Sequence, residues 1–280
     1  MVNKVSIIVP VYNAEPWIRQ CIASLQEQNY QDMEIVFVND GSTDNGQSLI
    51  PRSDDRISIS HTMHLGVSAA RNMGIKVSTG DLLMFVDADD YLEPDAVQTL
   101  VEAIDGVDMV AGSFRKFGEF EATTTHETQT LTMSEVASCI IGNMRNPRSN
   151  QLLSGCWAKI YKRSLAGEFP KLTTAEDMAF NFDYLMRCKS VRFIADVVYH
   201  NRKRKNSLTT TFDPNNRTGL FDVMTALDNV GKFLKENGYD SVNVQDALNS
   251  SKCYHAMLYF MRICGSLNVP MRDAFLRLYP

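Results

Sequence analysis

A chain of 280 residues, 44% hydrophobic and 22% charged, carries enough apolar material for one large α/β domain, or one domain with a helical appendix. Its net charge of −5 excludes nucleic acid as the main partner, because binding a phosphate backbone needs a dominant basic surface. No apolar run reaches membrane-spanning length, Met1-Val2-Asn3-Lys4 does not open a signal peptide, and the six cysteines show no CxxC or close Cys/His pair, so a cytoplasmic protein with buried thiols is expected.

From residue 4 the chain alternates strand-like and helix-like segments. Val5 to Val9 predicts a strand, Trp17 to Gln28 an amphipathic helix and Glu34 to Asn39 a second strand. A short helix around Gln47 to Ile50 follows, then a strand at Ile57 to Ser60, a helix from Val67 to Val77, a strand at Leu82 to Val86, a helix from Pro94 to Ile104 and a strand at Asp108 to Ala111. Such alternation implies βαβ units around a mainly parallel sheet. The first βα turn lacks G-x-G-x-x-G, which disfavours a Rossmann dehydrogenase. The Thr-rich stretch 112–150 reads as a β excursion or mobile loop. Ala175 to Lys189 reads as a helix, and Val191 to His200 as a strand pair. Beyond Asp213 the pattern is helical, as in Leu220, Val223, Met224, Leu227 and Val230, which reads as a lid packed on the main domain or as a membrane or dimer contact. The expected divisions are 1–111, 112–212 and 213–280. Leu278-Tyr279-Pro280 has no terminal pattern, so the native chain is expected to continue.

Four polar clusters follow in order at element ends. Pro10-Val11-Tyr12-Asn13 ends the first strand, where Tyr12 offers a stacking face for a base. Asn39-Asp40-Gly41-Ser42-Thr43-Asp44 ends the second; Asp40 could accept a hydrogen bond from a base or ribose, or the segment is simply a turn that caps the next helix. Gly66 to Gly74 places small residues on the first turn of a helix, with Arg71 one turn in; this suits a phosphate, or merely tight packing. Asp87-Ala88-Asp89-Asp90 then leaves a buried strand as three carboxylates in four positions, hard oxygen donors suited to Mg²⁺ or Mn²⁺, with a solvated acidic turn as the alternative.

These segments, with Val5 to Asn13 and Val38 to Asp44, resemble the family 2 glycosyltransferases of the GT-A fold from residue 4 to about 210. The resemblance implies a Rossmann-like, mainly parallel sheet flanked by helices, with the C-terminal helices as an appendix. It implies an inverting, metal-dependent hexosyl- or N-acetylhexosaminyltransferase that takes sugar from a nucleotide donor, usually UDP-linked, to a saccharide or lipid-linked acceptor. Bacterial polysaccharide or lipopolysaccharide assembly is the common setting. Residues matching Pro10, Tyr12, Asp40 and Arg71 hold the nucleotide. Asp87 and Asp89 match the D-x-D motif that meets the ribose and the diphosphate-bound Mn²⁺ or Mg²⁺, with Asp89 the first choice for direct metal contact.

On the acceptor side, Glu176-Asp177 resembles the family's E-D motif, whose second carboxylate is the general base. Without that resemblance the two acids simply complement a helix dipole. Trp157, in a segment similar to the family's Trp-containing one, lines a sugar pocket or packs in the core. Arg202 and Ser207, in the basic stretch Arg202 to Ser207, are donor-side candidates; a solvated charge run or contact with anionic lipid on the inner face of the membrane are the alternatives. His200 is a candidate third metal ligand, or a partly buried histidine. His64 and Ala158 stand where the family often has Asn. Two rivals remain: a silent nucleotide- or glycan-binding module, and a nucleotidyltransferase, which should show a Gly-rich basic loop where Pro10 to Glu15 has neither glycine nor lysine.

Overall fold

The computed structural model describes residues 3–132, 135–136, 152–153, 155–172, 174–204 and 219–267. Ser207, most of 133–151 and the C-terminal tripeptide lie outside the described residues, as does the side chain of Leu220. In chain order the elements are β1 (Val5–Val11), α1 (Ile18–Gln26), β2 (Met33–Asn39), β3 (Ile57–His61), α2 (Val67–Val77), β4 (Leu82–Phe85), β5 (Tyr91–Leu92) and α3 (Ala96–Ala103). They continue with β6 (Met109–Gly118), β7 (Ala122–Thr124), β8 (Gln129–Thr132), β9 (Lys159–Lys162), α4 (Glu176–Leu185), β10 (Ser190–Lys203), α5 (Gly219–Glu236) and α6 (Val242–Leu267).

The strands form one sheet in the order β3-β2-β1-β4-β9-β6-β10-β5, with β7 added to β6 and β8 to β10. Ladders β3-β2, β2-β1 and β1-β4 are parallel; β1, β2 and β4 are apolar runs buried on both faces, whereas β3 is the partly exposed edge strand. β9 then enters antiparallel between β4 and β6, while β6 and β10 run parallel. The chain winds outward through β3 and then crosses back to β4, so strand order reverses beside β1. That is where an open α/β sheet leaves a crevice at its carboxyl edge.

Alternation along β1 splits the core. Val5, Ile7, Val9 and Val11 pack with α1 and α3, whereas Ile8 faces the other layer with Phe85, Phe180 and Tyr184. Gly74 lets α2 lie directly on the sheet, because a Cβ there would fall 2.3 Å from Ile8 Cγ2. Residues of α5 and α6, Leu227, Val230, Leu234 and Leu248 among them, join the same buried cluster as Phe180 and Tyr184. Among the described residues no helix is long and apolar enough to cross a membrane.

Three expectations change in detail. The strand pair at 191–200 is one 14-residue strand, with register shifts between Ile194 and Tyr199 where Ala195 and Asp196 turn outward. The helix expected to reach Lys189 ends at Leu185. The stretch after Ala111 continues β6 to Gly118 and then adds β7 and β8.

Candidate functional site

The ends of β1 and β2 are tied into one ledge. Asn13 Oδ1 accepts from the Thr43 amide at 2.8 Å, and Ser42 Oγ accepts from the Asn13 amide at 3.1 Å. Asp40, 4% exposed, accepts from Thr62 Oγ1 at 2.5 Å and from the amides of Leu65 and Gly66 at 2.7 and 2.8 Å. Its carboxylate therefore builds the 62–66 loop, a duty invisible in the local pattern. That loop holds His64 in the left-handed region, at φ 53°, and stacks its ring on Tyr12 at 4.3 Å. Both rings are exposed, which leaves an aromatic surface at the ledge. Pro10 lies within β1, paired with Val38.

One helix along the edge, α2 supplies Arg71. This side chain is buried, and its guanidinium donates to Asp87 Oδ1 at 3.0 Å and to Glu176 Oε1 at 2.9 Å, with its Cζ 5.2 Å from the Phe169 ring centroid. The strand-end carboxylates and the start of α4 thus share one cation. Burial, then the neighbouring Asp177, raises the Glu176 carboxyl above its ordinary range, and Arg71 opposes the rise. Ala175, left-handed at φ 62°, turns the chain into α4, so the two acids open its first turn. Asp177 Oδ2 accepts from the Gly155 amide at 2.8 Å and Oδ1 from the Met178 amide at 2.7 Å.

The three strand-end carboxylates have separate surroundings. Asp87 keeps 29% of its side chain exposed and Asp89 19%, with Asp89 Oδ2 2.7 Å from Arg204 Nε. Asp90 is 1% exposed and accepts from Tyr199 Oη, Asn201 Nδ2 and the Arg202 amide at 2.8, 2.8 and 2.6 Å. It fastens the turn after β4 to β10. Arg202 donates to the Asp89 carbonyl at 2.9 Å and lies over the Phe117 ring at 4.5 Å. Arg204, at 4.2 Å over Trp17, approaches the Asp89 side chain; the basic stretch contains it, but its partner could not be read 115 positions away. Trp157 stacks on Tyr199 at 5.2 Å and meets Phe114 edge-on at 4.6 Å, against the core. His200 is not brought to the carboxylates: its Nε2 lies 2.7 Å from Glu93 Oε1 and its ring stacks on Tyr91.

A divalent cation fits the Asp87–Asp89 turn. The donors are hard oxygens, and burial followed by the Asp87 charge raises the Asp89 carboxyl, a crowding of negative charge that a cation relieves. Among the described residues no three His, Cys, Asp or Glu side chains form a cage, so most of the shell would come from phosphates and water.

The glycosyl transferase family 2 model matches residues 6–168. EpsH of Bacillus subtilis is 31% identical over 250 residues, which cover 83% of this chain and 70% of EpsH. S. aureus TarS 1–349, solved in complex with UDP-GlcNAc, superposes with a TM-score of 0.67 at 19% identity, covering 98% of this chain and 88% of that one. The mannosyltransferase PcManGT of Pyrobaculum calidifontis, solved with GDP-Man and Mn²⁺, gives 0.60 at 17% identity, covering 99% and 79%. The last two likenesses show a common fold.

Proposed function

This chain belongs to glycosyl transferase family 2 and is a glycosyltransferase, and from that premise we propose that it moves a sugar, with inversion, from a UDP-sugar to a hydroxyl of a saccharide or lipid-linked acceptor in bacterial polysaccharide or lipopolysaccharide assembly. One observation carries this reading: Arg71 bonds both Asp87 and Glu176, 89 positions apart, which brings the strand-end carboxylates and the E-D helix start together on one cation. The nucleotide sugars bound by TarS and PcManGT support the donor class, and the Mn²⁺ in PcManGT supports the metal.

In this reading the Tyr12–His64 surface and the ledge around Asp40 hold the nucleotide, and Asp87 and Asp89 would hold a Mn²⁺ or Mg²⁺ on the diphosphate side. A bound ion of that kind neutralises charge growing on the departing diphosphate. Asp177 takes the proton of the acceptor hydroxyl while that oxygen bonds to the anomeric carbon. The bond from that carbon to the diphosphate oxygen breaks, and its electron pair leaves with the nucleotide. The backbone donors at Gly155 and Met178 hold the base in place meanwhile.

The test is release of nucleoside diphosphate from UDP-GlcNAc, UDP-GalNAc, UDP-glucose, UDP-galactose and GDP-mannose with Mg²⁺, water standing for the acceptor. Asp177→Asn should lower kcat on the preferred donor by about 100-fold or more while UDP binding by calorimetry stays within about 2-fold. Wild-type turnover in that variant would reject Asp177 as the base, and no release from any donor would count against these donor classes.

A further inference from the structure

The chain around Gly155 contains a buried charge, the Lys159 ammonium, which lies 5.8 Å from the Trp157 ring centroid. Lys159, 5% exposed, donates from Nζ to the Gly155 carbonyl at 2.7 Å. The same oxygen accepts from Asn181 Nδ2 at 2.9 Å, and Asn181 is itself fixed by Tyr161 Oη at 2.7 Å. An amide would satisfy that carbonyl at a fraction of the desolvation cost of an ammonium. On its other side Gly155 presents the N–H that holds Asp177 Oδ2. Its φ of +68° suits glycine, and a Cβ there would lie 2.6 Å from the Trp157 ring.

We propose that Lys159 is a positioning residue for the base: its ammonium clamps the Gly155 carbonyl and so fixes the N–H that orients the Asp177 carboxylate toward the acceptor. The role rests on Asp177 being the base. Among the described residues the anchor of the Asp177 carboxylate from outside α4 is that one N–H, so the carboxylate turns with it, and small displacements at a reacting group are expensive.

The titratable groups facing Lys159 are Cys156 from its own segment, Asp177 from α4 and His126 from the stretch between β7 and β8; Arg71 in turn faces Cys156 and Asp177. Burial pushes the Lys159 ammonium down to about 8, against the upward pull of Cys156 and Asp177. His126 is pushed down to about 4, by burial and then by Lys159, so it is neutral near and above neutral pH. The clamp is therefore charged below pH 8 and neutral above it. Stability moves the opposite way: the unfolded lysine titrates near about 10.4, so between about 8 and 10.4 the folded chain binds fewer protons and stability rises with pH.

The experiment measures kcat and KM for hydrolysis of the donor the panel selects, with Mg²⁺, from pH 6.5 to 9.5, and thermal melting over the same range. For the wild type, kcat should fall above pH 8 while KM stays flat and the melting temperature does not fall. Lys159→Met should lose about 100-fold in kcat at pH 7 with KM within about 2-fold, and should lack the alkaline limb. A flat wild-type kcat profile overturns the proposal without any variant, should Lys159→Met fail to fold. An active Lys159→Met beside an inactive Asp177→Asn rejects the positioning role alone, whereas an active Asp177→Asn rejects the base reading and this role with it.

Discussion

Asp90 accepts three hydrogen bonds from β10, whereas Asp89 keeps part of its side chain open and meets Arg204. Adjacent residues of one type thus separate into a fastener and a candidate ligand. Asp89→Ala should weaken UDP binding in the presence of Mn²⁺ by about 10-fold or more, about 1.4 kcal/mol, in calorimetry. With a chelator present, the variant and the wild type should bind UDP equally. Equal affinity with Mn²⁺ present would remove Asp89 from the metal assignment. The carboxylates at 87 and 89 stood out because acids crowd at a strand end within a few positions, whereas Asp177 stood out only through its resemblance to the family's E-D motif. The partners that give them their surroundings did not. Tyr199 lies 109 positions from Asp90 and Gly155 22 from Asp177, and no local window carries such pairings.

The parallel half of the sheet was readable from its apolar runs, since a strand buried on both faces leaves an unbroken stretch such as Leu82 to Phe85. β9 was missed because its four residues, Lys159–Lys162, show no alternation and place a lysine at each end of a two-residue apolar pair, and β5 has only two residues. The long β10 looked like two strands because its irregularity puts Ala195 and Asp196 outward and breaks the period of two. Helix α2 carries a sharper consequence. Gly74→Ala drives a methyl into the fully buried Ile8, so the helix must lift from the sheet, and the loss should be about 1–3 kcal/mol of unfolding free energy. Denaturant melts would measure it, and an unchanged midpoint would show that the layers can part without cost. Because α2 also carries Arg71, donor affinity should fall with it.

For the molecule as a whole, the appendix expected at 213–280 shares its apolar face with the main body: Leu227 and Val230 of α5 and Leu248 of α6 are buried in one cluster with Phe85 and Tyr184. The helical periodicity of this region was plain in the sequence, but which face it covers depends on distant α4, where Phe182 meets Phe233 of α5 edge-on at 5.6 Å. The turn after β4 and the start of α4 are likewise joined within the body, through Arg71.

A guanidinium divided between two carboxylates makes those carboxylates energetically dependent on each other. When Asp87 is neutralised as Asn, the whole charge of Arg71 falls to Glu176, and the reverse substitution loads Asp87. A double-mutant cycle of Asp87→Asn and Glu176→Gln should therefore show a coupling of about 0.5–3 kcal/mol in stability, although the two positions are far apart in the chain. Strict additivity would mean the two ion pairs are independent. The same dependence bears on recombination: a chimera that takes its 112–212 segment from a relative inherits a working cleft only if the incoming helix start brings an acid to Arg71.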